Sequence, residues 1–137
     1  MLVVVVDGNC VGHAAKQREI AARVDDAIIP RVVIGCPDPH VERWLLADPV
    51  AFQKAVGAGC PADPNKCERD RYKHVVAEAL ANASVPLLTG VMELAPDVVE
   101  AMDFYSAGTH QASIKSFVDD LGSALQQLDD RAKNAPR

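Results

Sequence analysis

The chain has 137 residues, of which 49% are apolar and only 4% aromatic, and it carries a formal net charge of −5. That is one domain's worth of sequence, able to bury roughly two-thirds of its unfolded surface without disulfide staples. The charge argues against a broad basic surface for nucleic acid, but not against a site where a metal ion offsets local negative charge.

The opening MLVVVVDG does not read as a signal peptide, because no basic region precedes the apolar run and Asp7 ends it. No stretch approaches the roughly 20 apolar residues of a membrane span, so no membrane partner is expected. Four cysteines without a secretory signal read as reduced thiols, and hence as a cytoplasmic protein.

Residues 2–6 form a continuous run of Leu and Val with no polar alternation, which predicts a parallel strand buried on both faces. Asp7-Gly8-Asn9 breaks it. Residues 13–24 are rich in helix formers, with Ala14, Ile20, Ala21 and Val24 mostly on one face. Residues 31–35 (RVVIG) are the second strand. Strand, helix and strand together predict a right-handed parallel crossover.

The rest reads as helix-rich. Helices are expected over 41–47, from Pro49 with Asp48 as N-cap, over 68–83, over 96–102 and over 113–128, the last capped by Ser113. Residues 57–66 read as a loop, and so do residues 108–111, which include His110. A short strand at 85–88 is weakened by Pro86. The expectation is a single α/β domain over 1–128, with a small parallel sheet, a helix-rich C-terminal half and a flexible tail at 129–137. Two parallel strands do not make a stable sheet. A second copy, a partner protein, or an N-terminal half absent from this chain is therefore expected to supply further strands.

In a crossover unit, ligands sit beyond the carboxyl ends of the strands. That edge gathers Asp7, Asn9, Cys10, Cys36, Asp38, His40 and Glu42. A carboxylate just past a buried strand is held rigidly, and Mg²⁺ or Mn²⁺ takes such oxygens together with waters. The candidate metal ligands are therefore Asp7, Asn9, Asp38 and Glu42. Asp7, Asn9 and Glu42 are the candidate catalytic residues. His13 and Lys16, at the start of the first helix, are candidate phosphate contacts. The alternative is that Asp7-Gly8-Asn9 and Asp38 simply end their strands in turns.

The blocks VVVVDGN…GHAAKQREI and RVVIGCPDPHVERWLLADPVAF resemble bacterial Toprim-like domains, in particular a family related to the nuclease part of OLD-type proteins. Asp7 and Asn9 stand at that family's Asp-x-Asp strand end, and the stretch from Glu42 to Asp48 at its Glu-x-Trp-Leu-Leu-Ala-Asp segment. SIKSFVDDLGSAL is similar to its closing helix. The resemblance implies a Toprim/Rossmann-like fold and metal-dependent phosphodiester chemistry on nucleic acid, often in phage defence. The chain departs from the pattern by having Asn9 in place of Asp, and by lacking the earlier strand that carries a further acid. A non-catalytic binding module that completes its sheet on a partner is the second reading. The opening VVVVDGN also resembles PIN-like nucleases, which would place further acids at later strand ends.

Cys10, His13, Cys36 and His40 form a possible Cys₂His₂ zinc set, but the spacing between its halves matches no finger. Zinc is the less favoured cofactor. Cys36 beside His40 is a weaker candidate for nucleophilic chemistry, since no third group orients the pair. Arg69, Arg71, Lys73 and His74 could form a basic face that touches phosphates, but the favoured reading is the solvated side of a helix, because Glu68, Asp70 and Glu78 intermix with them. Trp44 reads as core.

Overall fold

The computed structural model describes residues 1–62, 67–68, 70–86 and 90–134. Over these residues the chain is mixed α/β, with a two-stranded parallel sheet followed by a succession of helices. Strand β1 (Leu2–Val5) pairs with β2 (Val32–Gly35), from Leu2 opposite Val32 to Val5 opposite Gly35. Helix α1 (His13–Ala21) and a 3-10 turn at Ile29–Arg31 connect them. The helix stops short of residue 24 because Arg23 and Val24 donate to Ile20 and Ala21, three residues back, and this tightens the last turn.

The ladder continues past the strands and sets the two following loops side by side. Val6 N–H reaches Gly35 O at 3.0 Å, Gly8 N–H reaches Pro37 O at 2.6 Å, and Asn9 N–H reaches Pro39 O at 3.0 Å. Gly8 is required by this approach, since a Cβ there would lie 2.9 Å from Pro37 O.

The sequence predicts both strands buried on both faces, and the structure corrects this for β1. Leu2 is 54% exposed and Val5 48%, whereas Val33, Ile34 and Gly35 of β2 are buried. The reason is position. β2 is contacted by β1, by α1 and by the last helix, while β1 has only β2 beside it in the sheet among the described residues.

The helical half comprises α2 (Glu42–Leu45), α3 (Pro49–Val56), α4 (Arg71–Asn82), α5 (Ala95–Ala101), α6 (Phe104–His110) and α7 (Ala112–Lys133). Asp48 caps α3 as read from sequence, and its Oδ1 accepts the N–H groups of Val50 and Ala51 at 3.0 and 3.1 Å. Gly57, with φ of 76°, ends that helix in the left-handed region.

Several boundaries differ from the sequence reading. Residues 108–110 belong to α6 rather than to a loop, and Gln111, not Ser113, is the N-cap of α7. α7 runs on to Lys133, through much of the stretch expected to be a flexible tail, and Lys133–Asp129 and Gln126–Asp130 pairs lie along its end. Residues 135–137 lie outside the described residues, as do Arg69, residues 63–66 of the expected loop and residues 87–88 of the expected strand. Val85 and Pro86 are not in a strand.

The main core lies among the helices rather than over the sheet. Leu45, Phe52, Val56, Tyr72, Val76, Leu80, Val98 and Ile114 form one buried cluster, with Trp44 packed against it. Among the described residues no helix is long and apolar enough to cross a membrane.

Candidate functional site

The loops after β1 and β2 meet the start of α4 around a polar cleft of about 500 Å³. Asp7, Asn9 and Cys10 come from the first loop, His40 and Glu42 from the second, and Cys67, Asp70 and Lys73 from the approach to α4 and its first turn. Asp7 is fixed by the main chain, since its Oδ1 accepts the Val41 N–H at 2.9 Å. Its Oδ2 stands 3.5 Å from His40 Nδ1. Glu42 opens α2 and is only 5% exposed. Asp70 precedes α4 in the left-handed region, with φ of 58°, and its Oδ1 lies 3.2 Å from Lys73 Nζ.

The electrostatics of the cleft centre on Lys73. Its hydrogen bond to Asp70, the Asp70 charge and the charge of Glu42 hold the ammonium above its ordinary pKa. Slight desolvation opposes this, and the Asp7 charge adds a smaller contribution to it. Acids from three separate segments thus act on one cation.

Of the residues singled out in the sequence, Asp7, Asn9, Glu42, Cys10 and His40 come together here. Asp38 does not line the cleft. Its Oδ1 lies against Gly8, and its main-chain oxygen accepts from Arg43 Nη1 at 2.7 Å. His13 and Lys16 also lie outside the cleft lining, and Lys16 is paired with Glu19 at 2.9 Å.

The reading of four reduced thiols is corrected. Cys10 and Cys67 form a disulfide. A bonded Cys10 has no thiolate to give a Cys₂His₂ zinc set. Cys36 is buried. Burial pushes its thiol up, against the lowering effect of Lys16 and with a raising one from Glu19, which is the opposite of an activated nucleophile. Among the described residues no group of three or more His, Cys, Asp or Glu side chains is placed to hold a metal ion.

Cys67, Asp70 and Lys73 also line the cleft and were not among the predicted site residues, Lys73 having been read as helix surface. An acid and a lysine three apart at a helix start are ordinary surface pairing, and only the fold carries them to the strand ends. In comparisons with known proteins, no family model, curated protein or solved structure matches this chain.

Proposed function

We propose that the cleft is a divalent-cation site for phosphodiester chemistry on nucleic acid, of the kind that the resemblance to Toprim-like nuclease domains implies. The observation that carries this reading is that Asp7, Glu42 and Asp70 line one open cleft together with Lys73, at the carboxyl end of a parallel strand pair. Mg²⁺ and Mn²⁺ prefer hard oxygen donors. Mg²⁺ keeps several of its waters and takes one or two carboxylates, so a cleft with carboxylates spaced around open volume suits it better than a closed cage. Asp7 and Glu42 would hold the hydrated ion, with Asn9 adding a neutral oxygen. Lys73 takes the phosphate-facing role that the sequence reading gave to His13 and Lys16.

The test is thermal unfolding of wild type and Asp7→Asn in increasing Mg²⁺ or Mn²⁺, with a chelated control, alongside cleavage of plasmid DNA. Asparagine keeps an oxygen for the Val41 N–H and removes the charge. A cation at a hundredfold excess over its Kd should raise the wild-type Tm by roughly 10 °C. Asp7→Asn should lose most of that rise and the cleavage with it. No rise and no cleavage in wild type would overturn the reading.

The exposure of β1 favours a second reading, a non-catalytic module that completes its sheet on a second copy or a partner protein. Its separate support is that the apolar residues of β1 are uncovered although their composition suits a sheet interior.

A further inference from the structure

We propose that the Cys10–Cys67 disulfide is a redox latch on the cleft: closed, it holds the loop after β1 against the approach to α4, and reduced, it lets that wall move. Its bearing on cation binding rests on the functional reading above. The latch itself rests on geometry.

Both cysteines are exposed and both line the cleft that contains Asp7, Glu42, Asp70 and Lys73. The bond spans a sequence separation of 57 residues, so it ties together two segments that the chain alone leaves far apart. The backbone on both sides of it is unusual. Asn9 and Cys10 have φ of 49° and 66°, and Asp70 has φ of 58°, a region that residues other than glycine seldom occupy. Such conformations persist where the surroundings over-determine them, and they cluster at switch regions. A covalent tie supplies that determination for Cys10. Without it, the main-chain bonds from Gly8 to Pro37 and from Asn9 to Pro39 still hold the base of the first loop, and Cys10 at its tip is released from the approach to α4.

The chemistry needs only a dithiol reductant. One thiolate of the reductant attacks an exposed cysteine sulfur and forms a mixed disulfide, releasing the other cysteine as a thiol. The second reductant thiol then closes the reductant's own disulfide and frees the remaining cysteine. Two electrons and two protons pass from the dithiol to Cys10 and Cys67. Buried Cys36 stands outside the exchange.

The test uses the full chain purified in air. Thiol titration in denaturant should count two more thiols after dithiothreitol treatment than before it. Hydrogen exchange on the folded protein should then quicken at least tenfold on reduction in residues 7–12 and 70–74, while α3 and α7 hold their protection. A Cys10→Ser, Cys67→Ser double variant should behave as the reduced protein does and ignore dithiothreitol. Four thiols before reduction, unchanged exchange on reduction, or protection lost throughout the chain would each overturn the latch. The exchange readout does not need a bound cation. A failure of Mn²⁺ to stabilise the oxidised protein would therefore fall on the proposed site, and leave the latch to stand or fall on its own data.

Discussion

Asp48 shows how much one carboxylate organises. Its Oδ1 caps α3, and its Oδ2 accepts the Asp103 N–H at 2.9 Å, which ties the start of α3 to the start of α6. Burial pushes the carboxyl upward, but the N–H groups of Asp103, Ala51 and Val50, helped by His110, outweigh it and hold the pKa below the ordinary value. Asp48→Ala leaves those donors without their acceptor and should cost about 2 kcal/mol in urea unfolding. Asp48→Asn should cost less, since its oxygen still serves the cap while its amide faces the Asp103 N–H donor to donor. Because the folded pKa is depressed, this stabilisation is present above the unfolded pKa and is lost as pH falls through the folded one. The Tm gap between wild type and Asp48→Asn should therefore be full at neutral pH and close below roughly pH 4.

At the scale of elements, α7 is joined to the rest of the fold by two contacts that stability measurements can read. Trp44 Nε1 donates to Ser113 Oγ at 2.9 Å, and its ring stacks on Phe117 with centroids 5.4 Å apart. The Phe117 ring in turn covers Gly35 of β2, where an added Cβ would lie 2.9 Å from it. Ser113→Ala removes the acceptor of a part-buried indole N–H and should cost about 1–2 kcal/mol. Gly35→Ala forces the ring off the strand and should cost about 1–3 kcal/mol by overpacking. Urea midpoints followed by the fluorescence of Trp44, the single tryptophan, would measure both.

These same elements show what was legible in the sequence. The two strands were plain because unbroken β-branched runs ending in Asp-Gly or Gly-Cys-Pro have few other readings. α3 was plain because Asp48, Pro49 and Gly57 mark both of its ends. α6 was not, since seven residues that include Phe104, Tyr105, Gly108 and Thr109 form a poor helix on propensity alone. Tertiary contact sustains it. Asp103 caps it by accepting from Tyr105 and Ser106, and Gly108 lets it approach Lys115 of α7 closely. Part of the candidate site was legible for a related reason. Asp7 and Asn9 follow the end of β1 and Glu42 opens the helix after the β2 loop, places that local pattern locates, whereas Asp70 and Lys73 arrive through a long-range packing that leaves no local trace.

At the scale of the whole molecule, the sheet and the site share one open edge. Val6 and Gly8 direct their N–H groups to the β2 side, and main-chain groups alternate along a strand, so Val3, Val5 and Asp7 face outward. Among the described residues no third strand pairs there, and β1 lacks the lysines, prolines and bulges that usually blunt an exposed edge. Covering each of Leu2, Val3, Val5 and Val6 would gain about 1 kcal/mol, which together with new main-chain hydrogen bonds would contribute to pairing with a strand from a second copy or another protein. If a second copy supplies it, sedimentation should give a concentration-dependent mass above the 14.7 kDa of one chain. A Val3→Lys, Val5→Lys double variant should then return it to a single-chain mass. An added strand would lie beside Asp7, so the proposed cation stabilisation should rise with protein concentration in wild type and fall in the double variant. A single-chain mass at every concentration, with cation stabilisation intact, would separate the edge from the site and exclude a second copy as the occupant of that edge.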